Sequence, residues 1–146
     1  MPDHTEIYDR RAEEYEELVT REDYEDNLLP ALNRIVLFRG LDAVDFGAGT
    51  GRVTCLLAPL VKSIRAFDIS AHMLEVAAAR LRGMGLKNWS AAAADSRRVP
   101  AETASADVAI AGWSLCYIAT ENPPPELGRA LAEMERILRS GGTVIL

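Results

Sequence analysis

Cysteine is scarce in this 146-residue sequence: the two present, Cys55 and Cys116, stand 61 positions apart in apolar surroundings. That spacing is neither a disulfide framework nor a metal-ligand pattern. Both are read as small buried hydrophobes of a reducing, cytoplasmic protein. Long apolar runs are missing too. The stretch at 108–111 is broken by Gly112 and Ser114, far short of the ~18 residues a membrane span needs. The start, Met1-Pro2-Asp3-His4-Thr5-Glu6, lacks the basic and apolar regions of a secretory signal. Clustered base is also wanting. Residues 1–30 carry 11 Asp and Glu against 3 Arg, so the formal net charge of −6 divides into −8 there and +2 over the remainder. The one basic pair of that remainder, Arg97-Arg98, is too small a face for a phosphate backbone, and no nucleic-acid partner is expected. What is abundant is apolar content, 49%, enough to fill one core at a length that fits one domain.

Two segments open the chain. Residues 8–19 space Ala12, Tyr15, Leu18 and Val19 at helical intervals among acids, and 28–38 form a better amphipathic helix with Gly40 as its stop. Residues 1–40 are therefore read as a helical cover on the main domain. From Leu41 short apolar runs alternate with helical ones: strands at 41–46, 63–67, 89–93, 107–112 and 143–146, helices at 50–60, 71–86 and 125–139. Strand then helix, repeated, predicts a parallel sheet wound with helices on both faces, and the near-continuous apolar strands fit burial on both sides. The third helix carries Leu127, Leu131, Met134 and Leu138 as its expected core stripe. The alanines at 91–94 favour helix over strand by propensity, yet the alternation assigns them to a strand.

Candidate chemistry gathers where predicted strands end. Asp45-Phe46-Gly47-Ala48-Gly49-Thr50-Gly51 leaves a strand and opens a helix, and glycines there allow a tight turn and close approach of a ligand to the helix N-terminus. The dinucleotide fingerprint needs a third glycine where Arg52 stands. Asp68, ending the next strand, is placed to accept both hydroxyl hydrogens of a ribose at the ligand crevice of an open α/β sheet; the alternative is a carboxylate favoured by the next helix dipole. Asp95, after the third strand, is either an acceptor for the amino protons of adenine or a loop residue. His4 and His72 are read as surface groups, which leaves no general base to name.

Together these residues resemble the class I S-adenosylmethionine-dependent methyltransferase family, particularly its small-molecule, quinone-biosynthesis-like branch. The resemblance runs through Val44 to Gly51, Asp68-Ile69-Ser70-Ala71-His72-Met73-Leu74, Ala94-Asp95-Ser96 with Val99-Pro100, Asp107-Val108-Ala109-Ile110, and Arg136-Ile137-Leu138-Arg139-Ser140-Gly141-Gly142. It implies a Rossmann-like methyltransferase core, a doubly wound and mostly parallel sheet over 41–146. The cofactor implied is S-adenosylmethionine. Gly47, Ala48, Gly49 and Gly51 would pass under its methionine and ribose, with Asp45 fixing the amino group. Asp68 would hold the ribose diol, Ile69 would pack on the adenine face with Met73 nearby, and Asp95 with the Ser96 backbone would read the adenine edge. Gly112 and Trp113 would lie beside the sulfonium, and Tyr15 of the N-terminal cover would sit over the methyl.

The implied reaction is transfer of that methyl to a small-molecule acceptor, chiefly by proximity and orientation, since the cofactor brings its own activated group. Other readings are a non-catalytic S-adenosylmethionine-binding module or subunit, and a nicotinamide-dependent oxidoreductase, which Arg52 and the Asp45-x-Gly opening disfavour. The family's sheet continues past the fifth strand with a helix and an antiparallel hairpin that this sequence does not reach. The core is therefore expected to be C-terminally incomplete, with the fifth-strand edge paired to a second copy or to further chain.

Overall fold

The computed structural model describes residues 11–14, 17, 21, 23, 25–112 and 114–146. Its sheet has five parallel strands in the order β3-β2-β1-β4-β5: β1 (Asp42–Phe46), β2 (Ser63–Asp68), β3 (Trp89–Ala93), β4 (Ala106–Ile110) and β5 (Leu138–Ile145). The helices are α1 (Leu28–Ile35), α2 (Arg52–Leu57), α3 (Ala71–Gly83), α4 (Leu115–Glu121) and α5 (Pro124–Ile137). This is the doubly wound α/β architecture expected.

Alternation along each strand divides the core in two. Ala43, Ile64, Val108 and Ile110 face the side covered by α1, α2 and α3, where Leu32, Leu57 and Leu81 meet them. Val44, Phe46, Phe67 and Ala109 face the side covered by α5 through Met134 and Ile137. Two-sided burial holds for β1, β2 and β4 but not for the edges, where β3 and β5 are largely open to solvent. The alanines at 91–93 sit on such an edge, where little side-chain packing is asked of a strand, and pairing with β2 sets their conformation.

Several expectations are corrected. The helix over 28–38 stops at Ile35, because Val36 turns extended and carries Phe38 into the core while Leu37 stays exposed. The buried stripe of α5 is Ala130, Met134 and Ile137; Leu131 is exposed and Leu138 already belongs to β5. Gly141 and Gly142, outside the strand expected at 143–146, lie inside β5 as a bulge between the pairs Ala106↔Leu138 and Val108↔Thr143, with Gly141 at φ +81°. Cys55 is buried as expected, whereas Cys116 is exposed on α4. That helix carries no fully buried residue, and the sequence pattern predicts none at 115–121.

Most of the helix over 8–19 lies outside the described residues. Ala12 is buried, and Glu13 approaches within 3.9 Å of His72 Nε2 at the start of α3. Among the described residues no helix is long and apolar enough to cross a membrane.

Candidate functional site

The carboxyl ends of β1, β2, β3 and β4 form one crevice, as expected at the centre of such a sheet. Its floor is the glycine turn between β1 and α2. Gly47 has φ +68°, and a Cβ there would lie 2.2 Å from that of Ser114, so only glycine fits. Ser114, after β4, donates its hydroxyl to the Phe46 carbonyl at 2.8 Å. The wall beyond β4 is thereby fastened to the end of β1. A Cβ at Gly49 would meet nothing within 4 Å, so this part of the turn opens on the crevice.

Asp68 holds this floor from β2. Its Oδ2 accepts the Gly49 N–H at 2.8 Å and its Oδ1 accepts the Ser70 N–H at 2.9 Å. The Ala48 N–H reaches the Phe67 carbonyl at 2.9 Å. Asp68 is thus buried and part of the scaffold, more than the exposed acceptor its sequence position suggests. Next to it Ile69 is 75% exposed, an apolar side chain left open in the crevice. Met73, in the first turn of α3 after Ile69, is buried on the inner face of that helix. The cause is helix phase: Ser70 caps α3 by accepting the Met73 N–H, and from that first turn Met73 faces inward with Leu74 and Ala77.

Asp45 ends up under the turn, 2% exposed, with its Oδ2 accepting the Thr54 hydroxyl at 2.6 Å. Burial pushes its carboxyl up to about 7; Thr54 opposes the shift and the neighbouring Asp68 charge adds to it. Thr54 is not visible from the sequence, since a threonine inside a helix carries no signal until its partner is known. On the other side, Asp95 is half-buried and gripped by Arg97, whose Nε and Nη2 donate at 2.8 and 2.5 Å while its N–H adds a third bond. These bonds hold the Asp95 carboxyl below its usual range. Arg97 also reaches Glu126 of α5 at 2.8 Å. It is a tether between the loop after β3 and α5, where the sequence shows only half of a basic pair. Ser96 is half-buried beside Asp95, and Gly112 lies behind β4 near Val53. Tyr15 and Trp113 lie outside the described residues.

The carboxyl ends of the strands thus bring Asp45, Gly47, Ala48, Gly49, Gly51, Asp68, Ile69, Asp95, Ser96 and Gly112 to one end of the sheet, with Gly51 against Ala77 of α3 and Met73 on the inner face of that helix. These groups suit a nucleoside bearing a positive charge: a glycine floor, an exposed apolar side chain and buried carboxylates, with no cation among the described residues paired to Asp45. A family profile described as methyltransferase domain matches residues 44–146. The chain belongs to the S-adenosylmethionine-dependent methyltransferase family. Over 114 residues the domain is 28% identical to sterol 4-C-methyltransferase of Caenorhabditis elegans, covering 77% of this chain and 32% of that one. It is 32% identical over 110 residues to demethylmenaquinone methyltransferase of Staphylococcus aureus, covering 73% and 42%. A solved structure from Methanococcus maripaludis, described as an S-adenosyl-L-methionine-dependent methyltransferase, superposes with a TM-score of 0.79 at 26% identity, over 99% of this chain and 66% of that one. This methyltransferase domain spans a third to under half the length of those two curated relatives.

Proposed function

We propose that the domain binds S-adenosylmethionine across the carboxyl ends of β1 to β4 and serves transfer of its methyl group to a small-molecule acceptor. The observation that carries this reading is the pairing of a buried, cation-free Asp45 with an exposed Ile69 on either side of the glycine turn. A carboxylate in such surroundings suits the cofactor's ammonium, and an open isoleucine suits the face of adenine. Asp68 would accept the ribose hydroxyls, Gly47 to Gly51 would underlie the chain from ribose to methionine, and Asp95 with Ser96 would meet the adenine edge. Gly112 and Trp113 would flank the sulfonium, and Tyr15 would close over the methyl. The bound cofactor supplies an activated methyl; what the protein adds is alignment of an acceptor and exclusion of water.

The relatives' names, a sterol and a demethylmenaquinone methyltransferase, support an apolar ring-bearing acceptor of the quinone-like kind. The contact of Glu13 with His72 supports residues 1–40 as a cover over this end of the sheet. The open outer edge of β5, with Val144 exposed, supports pairing with a second copy; light scattering giving a monomer at all concentrations would remove that pairing.

Thermal denaturation with S-adenosylmethionine, S-adenosylhomocysteine and NAD in parallel tests the function. A ligand that binds only the folded state, at ~100 times its dissociation constant, stabilises by about 2.7 kcal/mol. Shifts are expected with the first two and none with NAD. A shift with NAD alone would overturn the reading.

A further inference from the structure

Asp45 and Thr54 form a closed pair beneath the glycine turn. Thr54 is 0% exposed and lies on the inner face of α2, where its hydroxyl donates to Asp45 Oδ2 at 2.6 Å and its main-chain N–H adds a second bond. A buried hydroxyl that spends its hydrogen on one carboxylate oxygen restrains the rotation of that carboxylate and favours its ionised form, against the burial that opposes it. The surrounding elements offer little else. β4 places Ile110 opposite Asp45, and β2 places Ala66 on its other side, with Asp68 two residues further on. Arg52 opens α2, and Arg80 of α3 is turned toward the Thr50 carbonyl at 2.9 Å. Of the neighbouring charges, that of Asp68 weighs on Asp45 and favours its protonated form.

We propose that Thr54 is a positioning residue of the cofactor site: its hydroxyl holds the Asp45 carboxylate in one orientation and favours its ionised form, the form that receives the ammonium of the cofactor's methionine. This rests on the reading of the crevice as an S-adenosylmethionine site. Burial pushes the Asp45 carboxyl up to about 7 in the free protein. Below that point the protein must give up a proton before the ammonium can pair, and affinity falls about tenfold for each pH unit. Removing the hydroxyl shifts the onset upward by about one to two pH units, the worth of a hydrogen bond to a charged group.

The test combines two measurements on wild type, Thr54→Val and Thr54→Ser. The side-chain carboxyl of Asp45 is titrated by carbon NMR in the free protein, and binding of S-adenosylmethionine, S-adenosylhomocysteine and 5′-methylthioadenosine is followed by calorimetry from about pH 5.5 to about pH 9. The expected result is an upward-shifted Asp45 titration and binding profile in Thr54→Val, both restored in Thr54→Ser. Methylthioadenosine, which lacks the ammonium, should bind without that pH dependence in every variant. Identical titration curves in the valine and wild-type proteins, or the same pH profile for methylthioadenosine as for S-adenosylmethionine, would overturn the proposal. If the valine variant does not fold, Thr54→Cys, a weaker donor, should give an intermediate shift, and no shift overturns it. Absence of binding by any of the three ligands at every pH would instead defeat the functional reading, and the ammonium as Asp45's partner with it; the carboxyl titration would still decide whether Thr54 governs the Asp45 proton.

Discussion

Two aspartates of one strand, Asp42 and Asp45 of β1, sit in opposite surroundings. At the amino ends, Asp42 accepts the Ser63 hydroxyl at 2.6 Å and lies 3.1 Å from Arg139, and the same guanidinium reaches Asp107 at 3.0 Å. The Asp42 carboxyl is held below its usual range, mainly by Ser63, with help from Arg139 and Lys62. Burial pushes the Asp45 carboxyl up, with the neighbouring Asp68 charge adding to the shift and the Thr54 hydroxyl and amide opposing it. Asp42 is neutralised by the protein itself, whereas among the described residues no cation is paired with Asp45.

The largest effect should come from disturbing the floor of the crevice. Gly47→Ala forces an unfavourable φ and a collision with Ser114, at a cost of roughly 2–4 kcal/mol in denaturant titration. Ser114→Gly in the same chain should recover the part due to the collision and leave the part due to φ. Asp68→Ala comes next. It should weaken cofactor binding about ten- to hundredfold by calorimetry. Because Asp68 also anchors the Gly49 amide, it should lower stability by about 1–3 kcal/mol as well, and an unchanged affinity would remove Asp68 from the site.

Acid and base should separate the two aspartates as well. Asp45 is raised on folding, so the stability associated with its neutral form is full below about pH 4 and is lost as pH rises through about 7, by at most about 1.4 kcal/mol per unit. Asp45→Asn should flatten that decline in melts of the free protein. Asp42 is lowered on folding, so its contribution is present above its unfolded titration range and is lost as pH falls through its folded one. Arg139→Gln should give the smallest effect, a slight loss of melting temperature confined to pH above that range, with cofactor affinity unchanged.

Sequence pattern reaches the strands because a parallel sheet demands apolar runs between helices, and it reaches Asp45, the glycines, Asp68 and Ile69 because they are contiguous with strand ends. It does not reach interactions that join distant residues. Arg97 gripping Asp95 and Glu126, Thr54 serving Asp45, and Ser114 seated on Gly47 each depend on which loops meet. The buried face of α5 also escapes it. Leucines make the more visible stripe, but the buried residues are Ala130, Met134 and Ile137, and the last two pack against the sheet. Helix α4 has no fully buried residue and hence little periodicity to read.

The order β3-β2-β1-β4-β5 has a kinetic consequence. Strands β1, β2 and β3 are joined through successive short crossovers, whereas β4 returns to β1 across a long interval, its Asp107 bonding an amide 65 residues earlier. Closing that longer loop costs more chain entropy, so the seam between β1 and β4 should be the last to form and the first to part. Amide protons of β4 and β5 should accordingly exchange before those of β1 and β2. A ligand lying across the carboxyl ends bridges this seam, and its slowest effect on the protein should be to make the two halves exchange as one.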